Sequence, residues 1–297
     1  TGETYSYGTA VNGLIIRTTR GSHGIGILKT SNGGLTWTQS LNWIYQQQRG
    51  VWKIIYNHQN INSLLAATTD GIYKSNDAGV TWFQTDTTKM AMDLVMDPID
   101  TNIVYAGVGN LGSAGSGIYK STTAGNTWLR LSNGLPINTT GRICLAINPL
   151  NPSVVFAHIA DVLASRGLYK STNKGASWTL LNSNDFASYQ GWYSKGLHID
   201  PSDTNTIYVC GLYGYQSFDG GANFIQNTFY SPGNLANEPW PDLHDMVANP
   251  LDPNKLYLLT DAGLYRSTTN GQYWQSCLDG YVVAQFYLGS VSATNPN

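Results

Sequence analysis

The stretch Ile72-Tyr73-Lys74-Ser75-Asn76-Asp77-Ala78-Gly79-Val80-Thr81-Trp82 decides the fold, because the chain writes it six times. The other copies are ILKTSNGGLTW at 27–37, IYKSTTAGNTW at 118–128, LYKSTNKGASW at 168–178, GYQSFDGGANF at 214–224 and LYRSTTNGQYW at 264–274. Their leading hydroxyl residues, Thr30, Ser75, Ser121, Ser171, Ser217 and Ser267, recur every 45 to 50 residues. That period matches one four-stranded blade of a β-propeller.

Within each copy a short strand runs into a tight turn, and an aromatic residue opens the strand that follows. The turn needs a small side-chain acceptor for successive backbone N–H groups and a glycine that takes positive φ without a steric penalty. The aromatic, Trp37, Trp82, Trp128, Trp178, Phe224 or Trp274, is expected to bury roughly 150–250 Å² against neighbouring strands. The third turn position holds Asn32, Asp77, Thr123, Asn173, Asp219 or Thr269. All six can accept a hydrogen bond, but only two carry the charge that a general base or a hard cation would want. These positions therefore read as structural turn residues.

Outward from the turn, residues 90–130 show a whole unit: MAMDLVMDP, TNIVYAGVG, SGIYKS and TWLRLS, separated by Gly, Pro, Asn and Asp. The same order recurs four more times along the chain. TGETYS at the start resembles a second strand without its first, and AQFYLGSVSATNPN at the end resembles a first strand with nothing after it. The expectation is one all-β domain over 1–297, a six-bladed propeller whose last strand completes the first blade, within a longer exported polypeptide. Closure would remove open sheet edges.

Bulk properties narrow the partners. With 11% charged residues and a net charge of −2, nothing draws the chain to nucleic acid or an acidic membrane. No apolar run reaches the roughly 18 residues of a membrane span. Cys144, Cys210 and Cys277 are too few for a disulfide framework and read as free thiols. The histidines lack ligand spacing, so no metal or cofactor is expected.

The six turns resemble the Asp-box, or BNR repeat, shared by sialidases, sortilin-type Vps10 propellers and two-propeller xyloglucanases. The second half, GWYSKGLHIDPSDTNTIYVCGLYGYQSFDGGANF followed by PDLHDMVANPLDPNKLYLLTDAGLYRSTTNG and AQFYLGSVSATNPN, resembles large propellers that Bacteroidetes-type bacteria export by the type IX secretion route. That resemblance implies a secreted or cell-surface protein. Members often carry a His-X-Asp-X-His run where this chain has Trp240-Pro241-Asp242-Leu243-His244, so a metal centre built on that run is not expected here.

Propeller geometry converges the starts of the inner strands on a central channel, which places Lys53, Asp93, Arg142, Lys195, Asp242, His244 and Asp245 at or near its mouth. The connections at that end are rich in rings: Phe186, Tyr189, Trp192 and Tyr193 in 182–194, and Phe229, Tyr230 and Trp240 in 225–242, with Trp43 and Tyr45 after the first box. Such rings stack on sugars or dock peptide segments. The leading expectation is a non-catalytic module that holds a polysaccharide or a protein segment with Tyr189, Trp192, Tyr193, Trp240, Arg142 and His244. One alternative is a xyloglucanase-like hydrolase using Asp93 and Asp242 as its carboxylate pair. Another is an architectural part of a large surface adhesin or secretion-linked assembly.

Overall fold

The computed structural model describes residues 24–46, 49–193, 195–230, 238–249 and 251–277. They form five four-stranded antiparallel sheets and one two-stranded sheet. Each four-stranded sheet is a meander in chain order, as in Val51–Asn57, Asn60–Thr68, Gly71–Ser75 and Phe83–Asp86. We call these sheets blades one to five: residues 51–86, 91–130, 143–182, 196–226 and 243–276.

Among the described residues the expected count of six blades is corrected to five. The first box brings a hairpin, Gly26–Lys29 paired with Thr38–Asn42, but a blade also needs two strands inside that hairpin, and the described residues ahead of it supply none. TGETYS and the C-terminal AQFYLGSVSATNPN lie outside the described residues, as does the completion of a first blade by them.

The inner strands Val51–Asn57, Ala91–Met96, Ile143–Ile147, Gly196–Ile199 and Leu243–Asn249 stand side by side, each touching the next. The core lies between blades. Ile72, Leu94, Val104 and Tyr119 fill the joint of blades one and two. Ile118, Leu145, Val155 and Trp178 fill the next, Phe156, Leu168, Phe186 and Val209 the third, and Tyr208, Met246, Leu258 and Trp274 the fourth. A sheet covered on both faces wants apolar runs in place of alternation, and Val104–Val108 and Val155–Ala160 are buried at every position.

The box turns explain their own sequence. Ser75 Oγ accepts from the N–H groups of Asp77 and Gly79 at 3.3 and 2.8 Å, and Asp77 Oδ1 accepts from Thr81 N at 2.8 Å. Thr123 Oγ1 and Asn173 Oδ1 do the same work at 2.9 Å for Thr127 N and Ser177 N. The turn needs two consecutive left-handed residues, Ala78 and Gly79 with φ of 57° and 80° in this copy. Hydrogen bonds, led by that from the Thr81 hydroxyl, hold the exposed Asp77 carboxyl down at about 2, and the Asn223 amides lead the same effect at Asp219.

Each box also locks onto its neighbours. Trp82 Nε1 donates back to Ser40 Oγ at 2.8 Å, and Trp128 Nε1 to Thr85 Oγ1 at 3.1 Å. The lysine before the box hydroxyl reaches forward in three copies: Lys29 to Ala78 O at 2.6 Å, Lys74 to Asn126 Oδ1 at 2.9 Å, and Lys120 to Lys174 O at 2.6 Å. Trp37 departs from the expected burial. It stays 57% exposed, because among the described residues no outer strand precedes it. Ser171 is buried and holds Asn173 N and Gly175 N. Ser171→Ala leaves those donors unpaired and should lower stability by about 1–3 kcal/mol, read as a shift of the urea midpoint with an unchanged slope.

Candidate functional site

The channel carries a ring of equivalent positions. Four residues before each Asn or Asp of the first inter-strand turn stand Lys53, Asp93, Cys144, Gly196 and Asp245. Lys53 Nζ lies 2.5 Å from Asp93 Oδ1. Asp93 also accepts from Leu94 N at 2.9 Å and, through Oδ2, from Leu145 N of the next blade at 2.7 Å. It sits at a bulge in its own strand pair, which turns the carboxylate sideways into the neighbouring blade. Burial alone would lower the Lys53 ammonium, but Asp93 and then Asp245 raise it overall. Asp245 is exposed at its surface yet packed among neighbouring groups, and desolvation raises its carboxyl. Gly196 leaves room for this ring, since a Cβ there would stand 3.1 Å from Asp245 Cα and 3.2 Å from Cys210 Cβ.

Above the ring, the connection between Thr179–Asn182 and Gly196–Ile199 divides its four aromatics between core and mouth. Phe186 turns inward, fully buried, with edge contacts to His158, Tyr215 and Phe224 at centroid distances of 5.5, 5.3 and 4.9 Å. Gly211 permits this docking, since a Cβ there would fall 1.9 Å from Phe186 O. Asp185 then accepts from Ala187 N, Ser188 N and Ser165 N. Beyond it the chain bends through Ser188 and Tyr189 at φ of 43° and 61°. Tyr189 is left 61% exposed.

Trp192 and Tyr193 stack at 5.0 Å over Met90, Met92 and Leu111, beside Trp52 and Val162. Tyr193 meets the His244 ring edge-on at 4.7 Å. One carboxylate oxygen, Asp261 Oδ1, accepts from the Tyr193 hydroxyl at 2.7 Å and from His244 Nε2 at 2.6 Å. Gln190 Nε2 donates to Asp242, and Asn110 Nδ2 to Trp192 O at 2.8 Å. Arg142 lies over the Trp52 ring at 5.4 Å and donates to Tyr193 O. Met90, Leu111 and Asp242 join Tyr189 in the left-handed region, with φ of 63°, 51° and 67°. Such strain in non-glycine residues concentrates where a site is held in shape by its surroundings.

Of the residues expected from sequence, Trp192, Tyr193, Arg142, His244 and Asp242 thus come together at the mouth. Trp240 forms its own edge-on pair with Tyr230 at 4.9 Å. Asp93 belongs to the channel ring. Trp43 is buried against Tyr73 at 5.5 Å, whereas Tyr45 is 94% exposed. Sequence reading missed Asp261, Gln190, Asn110 and Trp52. Asp261 had no repeat signal: Thr260 pairs with Gly263 as Thr68 pairs with Gly71, so Asp261 takes the place of Thr69, while Asp70, which gathers Tyr73, Arg49 and Lys89, is matched by Ala262. Among the described residues no group of three or more His, Cys, Asp or Glu could hold a metal ion. All three cysteines are free, with Cys277 partly exposed.

No family model matches the chain, and no curated protein matches it. Solved structures do. An ancestral GH74 enzyme aligns at 20% identity with a TM-score of 0.60, covering 78% of this chain and 31% of that one. The GH74 enzyme of Niastella koreensis aligns at 19% and 0.55, covering 84% and 47%. The extracellular domain of a putative one-component system from B. thetaiotaomicron aligns at 15% and 0.59, covering 83% and 30%. The chain spans less than half of each of these proteins. At such identities the likeness establishes architecture alone: the molecule is an all-β propeller of four-stranded antiparallel blades.

Proposed function

We propose that this propeller is a non-catalytic, secreted or cell-surface binding module that holds a polysaccharide at its channel mouth. The observation that carries this reading is the Trp192–Tyr193 stack, held by hydrogen bonds at the open end of the channel with Tyr189 exposed beside it. Aromatic faces flanked by fixed amide and carboxylate groups suit the alternating apolar and hydroxylated surfaces of sugars. The extracellular character of a structural neighbour supports the location. The rival hydrolase needs two carboxylates addressed to a substrate, and Asp93 already directs both oxygens to Lys53, Leu94 and Leu145.

Affinity electrophoresis against a panel of soluble polysaccharides tests the reading. Tyr189→Ala and Trp192→Ala should each weaken retardation by about tenfold, equivalent to about 1.4 kcal/mol, while melting stays within a few degrees of the parent. No retardation by any polysaccharide, or undiminished binding in both variants, overturns it. Release of reducing ends lost in Asp242→Asn would favour the hydrolase instead.

A further inference from the structure

Beneath the mouth, three hydrogen bonds tie Arg142 to the segment that carries Tyr193. Arg142 N donates to Gly191 O at 2.9 Å, its guanidinium donates to Tyr193 O, and Lys195 Nζ donates back to Arg142 O at 2.9 Å. Lys195 is 1% exposed, and its second partner is His158 O, also at 2.9 Å. An ammonium brings three N–H donors, whereas a neutral amine brings two and a lone pair. Two carbonyl acceptors among the described residues match the neutral amine.

We propose that Lys195 is a positioning residue for the mouth: as a neutral amine bridging Arg142 O and His158 O it holds the Gly191–Tyr193 turn, and taking up a proton releases that turn. This rests on reading the mouth as the binding site. The groups facing Lys195 are Arg142 and Cys144 at the inner strand of blade three, His158 on the strand beside it, and Asp93 from blade two. Asp245 of blade five packs on the adjacent Gly196. Burial lowers the Lys195 ammonium from 10.5 to about 7, and drives the His158 imidazolium well below its usual range. His158 therefore stays neutral while Lys195 titrates.

The sign follows from linkage. A released, hydrated Lys195 binds its proton at the ordinary value of 10.5, the docked one only near 7. Docking therefore strengthens as pH rises between those values, by up to about tenfold per unit, and is level below them.

Hydrogen exchange of the intact chain without ligand, corrected for intrinsic rates, reads this at the peptide covering 186–193. Protection should fall by up to about tenfold per unit from pH 10 to pH 7 and be independent of pH in Lys195→Met. That variant should fold, since Arg142 O keeps Ala160 N at 3.1 Å; if it does not, Lys195→Gln retains donors without titrating and serves instead. A slope that persists in the variant, or protection that is flat in the parent, overturns the proposal. Because no polysaccharide enters the measurement, a failure here is distinct from a failure of the binding experiment.

Discussion

Asp93→Ala is expected to lower the unfolding free energy by roughly 3–5 kcal/mol. Asp93 is 7% exposed, and its two oxygens serve Lys53, its own strand and the next blade. Removing the carboxylate strands two buried N–H groups, at about 1–3 kcal/mol each. Lys53 adds less, because its side chain is 39% exposed and channel water can solvate the freed ammonium. Asp93→Asn should rescue only part of the loss, since one of its two oxygen positions becomes a donor. Thermal and urea unfolding measure this directly. A loss below about 1 kcal/mol would show that the carboxylate is not needed to hold blades two and three together, and would reopen its assignment as a catalytic group.

Phe186→Ala is expected to have a similar effect on stability and a larger one on binding. Truncating a fully buried phenylalanine costs about 3–5 kcal/mol, and Phe186 is wedged among His158, Tyr215 and Phe224. It is also the only one of the loop's four aromatics that turns into the core, so its loss should free Tyr189, Trp192 and Tyr193 together. Polysaccharide retardation should then fall further than in either single mouth variant. Equal or weaker loss would mean that the turn is held by Arg142 and Lys195 without help from Phe186. Gly211→Ala approaches the same contact from the other side, where the new methyl would collide with Phe186 O.

The box turns were legible because their chemistry is local. A serine, a short acceptor, a glycine and an aromatic sit within eight residues, and the serine and the acceptor make their turn bonds inside that span. The blade count was less so, because six hairpins do not guarantee six pairs of inner strands. The forward-reaching lysine of Tyr-Lys-Ser was passed over, since its acceptor lies about one repeat away, as from Lys74 to Asn126. The mouth was legible as a region and not as an arrangement. Nothing in NSNDFASYQGWYS tells that Phe186 turns inward and Tyr189 outward, because that choice is made by Gly211 and by the neighbouring sheet. Arg142 and His244 were expected to face a ligand at the mouth, whereas the contacts described for them run to protein groups, Tyr193 O and Asp261.

The tryptophans grip backward and the lysines forward, so the attachments run between immediate neighbours. Free energy in such an array is distributed over adjacent pairs. Damage at one junction should then open a seam there, leaving the sectors on either side to unravel as two cooperative units, and amide protection would drop in steps across the chain.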